Sequence, residues 1–128
     1  MSTARPSDDV RALLPLSPMD FHLLLVLAEE ELYGYAIKKK LERASEGTLS
    51  PEIGSLYRMI GRLMNSGLVE EAGERVPEAE EPKAPGHPRR YYRITSLGHG
   101  VLQAEAARVR AVLAVAEGKA LIPGGNRS

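Results

Sequence analysis

The sequence has no cysteine, no tryptophan, a single phenylalanine and no excess of either charge. Without thiols there can be no disulfide, thiolate nucleophile, cysteine zinc ribbon or thiol redox switch. Lysine plus arginine and aspartate plus glutamate each number 17, so the formal charge at pH 7 is zero. A globally basic coat on nucleic acid is thereby excluded, and any nucleic-acid site must be local. Long apolar runs are missing too. The longest aliphatic stretch, Leu23 to Ala28, falls far short of the ~20 residues of a bilayer-crossing helix. Met1 to Leu16 is interrupted by Asp8 and Asp9 and does not read as a secretory signal. The expectation is a cytoplasmic protein with no membrane partner. His22, His87 and His99 share no helical ligand spacing, so no metal site is expected. No serine or glutamate sits in a motif with a partnered base, and no glycine-rich loop follows a strand. Catalytic residues and cofactors are therefore not expected, and the chain does not read as an enzyme.

What is present is one domain's worth of chain, 128 residues with 43% hydrophobic and 27% charged residues, values typical of folded proteins. Ser7 ahead of Asp8, Asp9 and Val10 can cap a short helix in an N-terminal extension, residues 1–16. Ser17, Pro18 and Asp20 open a stronger helix over Pro18 to Glu30, with Phe21, Leu24, Leu25 and Ala28 at helical spacing. Tyr33 to Ala44 follows, with Ala36, Ile37 and Leu41 on one face. Ser50 and Pro51 repeat the cap-then-proline signature, and Ile53, Leu56, Tyr57, Ile60, Leu63 and Met64 form a stripe that Gly67 ends. Leu68 to Ala72 and Tyr91 to Thr95 read as two strands. Pro77, Pro82, Pro85, Gly86 and Pro88 between them predict a mobile, irregular hairpin tip. Ser96 opens a last helix that runs to about Ala120. The organisation is an extension (1–16), a core domain (17–95), a long helix (96–121) and a tail (122–128).

Three helices followed by a two-stranded hairpin is the order of a winged helix-turn-helix. Gly34-Tyr35-Ala36-Ile37, Gly54-Ser55-Leu56-Tyr57, Arg62-Leu63 with Gly67-Leu68-Val69, and Arg89-Arg90-Tyr91-Tyr92-Arg93-Ile94-Thr95 resemble, in order and spacing, the PadR family of bacterial transcriptional regulators. The resemblance spans roughly Leu14 to Leu121. It implies a mainly α fold with a small β-hairpin, a winged helix-turn-helix plus a C-terminal dimerisation helix. It also implies that Tyr35 and the start of its helix meet a phosphate. Many members carry Pro-Gly-Thr-Leu-Tyr where this chain has Pro51-Glu52-Ile53-Gly54-Ser55-Leu56-Tyr57. Some hold flat aromatic drugs between tryptophans, a mode that a chain without tryptophan does not supply.

The charge map agrees with that reading independently of the family. From Tyr33 to Ser66 six bases face three acids, and from Lys83 to Arg93 four bases face none. From Glu70 to Glu81 six acids face one base, so only the returning wing strand should approach phosphate, unless Glu70 or Glu71 pairs with Arg93 across the hairpin. The expected DNA-contacting set is Tyr35, Lys38, Lys39, Ser55, Arg58, Arg62, Lys83, Arg89 and Arg90. Ser55, Arg58, Met59 and Arg62 form the expected reading face, with Arg58 on bases and Arg62 on phosphate. Tyr57, inside the stripe, is assigned to core packing, with phosphate contact as its alternative. Leu102, Ala106, Val109, Leu113 and Ala116 recur at steps of four and three, the seam of a helix pair. They are the expected dimer interface, widened by Val101, Val112 and Val115. The function expected is a homodimeric regulator, most simply a repressor, on a palindromic double-stranded DNA operator, with release by a small-molecule effector compatible with it. The rival reading is a winged helix used as a protein interaction module.

Overall fold

The computed structural model describes residues 7–75 and 89–123. Helix α1 (Asp8–Arg11) is capped by the Ser7 side chain, which accepts from the Val10 amide at 3.3 Å. Helix α2 (Pro18–Glu29) starts as the cap-then-proline signature predicts, with Ser17 Oγ accepting from the Asp20 amide at 3.1 Å. A two-residue strand β1 (Leu32–Tyr33) leads into α3 (Gly34–Ala44) and then α4 (Ile53–Asn65). Strands β2 (Val69–Arg75) and β3 (Arg89–Ile94) precede the long helix α5 (Ser96–Gly118), whose N-cap is Thr95.

Both hairpin strands run further toward the tip than expected, β2 to Arg75 and β3 from Arg89, and two further elements differ from the sequence-based expectation. Strand β1 was not expected: it pairs with β3, Leu32 opposite Tyr92 and Tyr33 opposite Tyr91, so the hairpin becomes a three-stranded antiparallel sheet in the order β1-β3-β2. Helix α4 does not begin at Pro51. Glu52 is its N-cap and Ile53 its first residue, so Pro51 lies before the cap rather than inside the first turn. Ile53 and Tyr57, both expected in the buried stripe, are 41% and 46% exposed, because the face that α4 buries is the narrower one through Leu56, Ile60 and Leu63.

The core is one cluster. Leu23, Leu24 and Leu27 of α2, Ile37 and Leu41 of α3, Leu56, Ile60 and Leu63 of α4, Leu68, Val69, Tyr92 and Val101 are buried together. The three α4 residues recur at steps of four and three, so one face of the helix is consumed by packing and the opposite face is left to solvent. The expected α5 seam divides at this point. Val101 and Leu102 are buried in the same chain's core, Glu105 is also buried, and Val112, Leu113 and Val115 are exposed. Leu102 and Val101 are therefore corrected from interface to core residues: the winged-helix body covers the first two turns of α5. Val10 of α1 joins the same core, with Leu13, Leu14 and Leu16 packed against it. Gly98 fixes the junction, since a Cβ there would lie 2.2 Å from the Leu68 carbonyl oxygen.

Candidate nucleic-acid interface

The face of α4 opposite Leu56, Ile60 and Leu63 carries Gly54, Arg58, Gly61 and Asn65, again at steps of four and three. The expected reading face is thus rotated. Met59 packs against the core and Ser55 is half-buried, so both move to the flank, and Arg58 stands near the centre. Its guanidinium donates to Ser55 Oγ at 3.0 Å, and among the described residues no carboxylate pairs with it. Tyr57 occupies the other flank. Rather than filling the core, its ring covers Gly34: a Cβ there would lie 2.3 Å from Tyr57 Oη. The Gly34-Tyr35 pair is explained by that approach, because α3 can sit beneath the tyrosine only without a side chain at its first residue.

The turn between α3 and α4 is held by side chains. Lys38 Nζ donates to Glu42 at 2.7 Å and to the Pro51 carbonyl at 2.8 Å, and Ser50 Oγ donates to the same Glu42 carboxylate at 2.7 Å. The Lys38 ammonium is the main cause that holds the Glu42 carboxyl below the ordinary carboxylate range. Ser45 Oγ accepts from the Leu49 amide at 2.9 Å. Lys38, expected at DNA, is thereby engaged in placing the first turn of α4. Lys39 is exposed and lies 5.8 Å from the centre of the Tyr35 ring, so these two expected residues meet at the start of α3.

Arg62, expected at phosphate, has a protein partner that the sequence does not indicate. Its two terminal nitrogens donate to the two Asp20 carboxylate oxygens, each at 2.9 Å, and Asp20 is the main cause raising the arginine's pKa. The Asp20 side chain is 10% exposed against 56% for Arg62. In the sequence Asp20 marks only the start of its helix. No local pattern links it to a residue 42 positions away.

The wing is a lattice of opposite charges. Facing outward, Arg93 donates to Glu70 at 2.7 Å and lies 3.6 Å from Glu31, which also pairs with Arg75. The cross-hairpin pairing considered for Glu70 is therefore present, and the Arg75 guanidinium is the first cause holding the Glu31 carboxyl below its ordinary range. Facing the other way, Arg90 lies 3.7 Å from Glu71 and 3.6 Å from Glu74. Arg89 stacks over the Tyr33 ring at 4.3 Å and Arg75 over Tyr91 at 4.1 Å, with the two rings 5.5 Å apart. The residues expected in the wing thus divide into Arg89 on the outer aromatic ladder and Arg90 among carboxylates. Lys83 and the expected proline-rich tip fall outside the described residues.

A helix-turn-helix whose last helix turns a polar, arginine-bearing face outward beside a β-hairpin is the architecture of a winged-helix DNA-binding protein. The sequence profile described as the transcriptional regulator PadR-like family matches residues 23–104. The chain belongs to that family, a family of regulators rather than of enzymes. A PadR-like transcriptional regulator from Bacillus cereus is 23% identical, with a TM-score of 0.64 over 92% of this chain and 99% of that one. A PadR family regulator from Clostridium difficile is 20% identical, with a TM-score of 0.60 over 79% and 96%. The Bacillus subtilis PadR crystallised with operator DNA is 18% identical, with a TM-score of 0.56 over 70% of this chain and 46% of that one. These likenesses establish the fold. An uncharacterised protein of Lysinibacillus sphaericus is 29% identical over 84 residues, which is 66% of this chain and 71% of that protein. Among the described residues no helix is long and apolar enough to cross a membrane, and no group of three metal-ligating side chains comes together.

Proposed function

We propose that the protein is a repressor that binds a palindromic operator as a homodimer joined through α5. The observation carrying the dimer is the unpartnered far half of α5, where Val112, Leu113 and Val115 are 53%, 48% and 58% exposed along a helix of 23 residues. An apolar surface of this extent costs free energy in water unless a partner covers it. A second copy covers it with the same residues, and two-fold symmetry in the protein then asks for two-fold symmetry in the site. Of the expected seam, Ala106, Val109, Leu113 and Ala116 remain to form the contact. The domain division given above, with residues 96–121 serving assembly, follows the same reading, except that the start of α5 serves the core.

Operator DNA in the Bacillus subtilis structure supports carrying a groove-entering role over to α4, with Arg58 as the base-reading residue. A groove of about 310 Å³ that includes the seam residues Val109 and Leu113 together with Phe21, Arg110 and Glu117 supports an effector site at the dimer interface, where binding would release the operator. The test is sedimentation combined with gel shift. The wild-type chain sediments as a dimer at tens of micromolar and binds a palindrome far more tightly than a half-site, and Leu113→Glu gives monomers that lose this difference. A wild-type monomer refutes the dimer and the palindrome together. Specific binding to no duplex selected from random sequence refutes the regulator reading and favours the protein interaction module, which the carboxylate-paired wing would suit.

A further inference from the structure

We propose that Asp20 is a positioning residue for DNA contact, holding the Arg62 guanidinium by one edge so that its remaining donors face a backbone phosphate. The inference rests on α4 entering the groove and adds to it a residue on another helix that decides how Arg62 is presented. A guanidinium has five N–H donors. Asp20 takes one from each terminal nitrogen, in two parallel bonds of 2.9 Å, and leaves Nε–H and one hydrogen on each terminal nitrogen. The carboxylate lies beneath, 10% exposed, and the guanidinium lies above it, 56% exposed. The edge held by the protein is thus the buried one, and more than half of the Arg62 side chain stays open to solvent, one helical turn along α4 from Arg58.

The support is itself rigid. Asp20 sits in the first turn of α2, where its amide is capped by Ser17 and the helix N-terminus favours a carboxylate. Arg62 lies on a helix whose neighbouring residues Ile60 and Leu63 are buried, so both ends of the pair are fixed by the core. A planar fork held by two parallel bonds loses little further freedom when a phosphate binds it, whereas an unsupported surface arginine must be ordered at that moment.

The experiment measures affinity by fluorescence anisotropy over a range of salt concentrations. It uses one duplex that the wild-type protein selects from random sequence and one unselected duplex, with the melting temperature of each variant recorded alongside. Asp20→Asn is expected to weaken both duplexes alike, by about tenfold, and to lower the slope of log affinity against log salt by about one. Arg62→Ala is expected to do the same, and the double variant to lose no more than Arg62→Ala alone. Arg62→Lys keeps the charge without the fork, is expected to weaken binding several-fold, and carries the test if Asp20→Asn does not fold. A lowered melting temperature with unchanged affinity and salt slope makes the pair a structural tie and overturns the proposal. Tighter binding by Asp20→Asn overturns it as well, because Asp20 would then compete with phosphate. If the wild-type chain selects no duplex, the DNA-binding reading fails and the proposal falls with it; if it does and the variants bind equally well, the proposal alone fails.

Discussion

The outward face of α4 and the wing carry the same residue type in opposite states. On α4, Arg58 donates to the Ser55 hydroxyl and, among the described residues, pairs with no carboxylate. In the wing, Arg75, Arg90 and Arg93 each have a carboxylate within 4 Å. A wing arginine whose carboxylate partner is as exposed as itself must trade one anion for another to bind DNA, and the exchange gains little. Arg62 differs, because its carboxylate lies buried behind it and takes one edge only. An arginine without one brings its whole charge and fork. A count of bases along the chain scores the two regions alike; the pairing separates them. The basic returning strand, expected from its composition to meet phosphate, is largely neutralised by the strand beside it.

The sharpest way to break this contrast is to remove one arginine from each region. Arg58→Ala is expected to cost about 1 to 3 kcal/mol on a preferred duplex and to flatten base preference at one position per half-site. Arg90→Ala is expected to cost much less and to affect all sequences equally, as measured by competition against random DNA. Equal losses would erase the distinction. A smaller effect follows from freeing the wing: Glu71→Gln with Glu74→Gln releases Arg90 and should tighten binding to any duplex several-fold at low salt, with the gain vanishing as salt is raised. Unchanged low-salt affinity would place Arg90 beyond reach of the duplex.

Gly61 allows the two sides of α4 to be separated. Among the described residues nothing beyond its own helix backbone and chain neighbours lies within 4 Å of a Cβ built there, so the packing described does not require glycine at a helical position where it costs about 1 kcal/mol relative to alanine. Gly61→Ala should raise the melting temperature while weakening DNA binding, if the face seats against bases closely enough to feel a methyl group. A gain in both would mean that this face stays clear of the groove. The smallest effect concerns acid. Glu105, buried on α5, is held below the ordinary carboxylate range first of all by Arg108, which donates to both its oxygens at 2.8 Å. A carboxyl lowered by folding adds stability above its unfolded pKa and loses it as pH falls to the folded one. Thermal melts of Glu105→Gln should therefore show a shallower loss between neutral and strongly acidic pH than the wild type.

What was legible in the sequence follows from how local each cause is. The starts of α1 and α2 rest on the Ser7 and Ser17 hydroxyls, and the packed faces of α3 and α4 rest on Ile37, Leu41, Leu56, Ile60 and Leu63 at helical spacing; both are causes within a few residues. Strand β1 was hidden because two residues form a strand only through partners some 60 positions later, Tyr91 and Tyr92. Tyr57 was misassigned because it lies at the edge of the stripe, one residue past Leu56, where helical spacing does not tell that the ring covers Gly34 of another helix instead of entering the core. Leu102 fits the seam by periodicity, yet a period of four and three cannot tell a helix's own domain from a partner. Arg62 looked free because its carboxylate lies in another helix. Arg58, whose contact is three residues away, was placed correctly on the exposed face.

The most direct measurement is guanine N7-methylation interference on duplexes that the wild-type protein selects, since N7 lies in the major groove where α4 is held to enter. Methylation at symmetry-related guanines should block wild-type binding, and Arg58→Ala should lose that sensitivity at one guanine per half-site while keeping its residual affinity. Binding indifferent to N7 methylation, or an interference pattern identical in wild type and Arg58→Ala, would contradict the assignment of the α4 outward face as the surface that reads DNA.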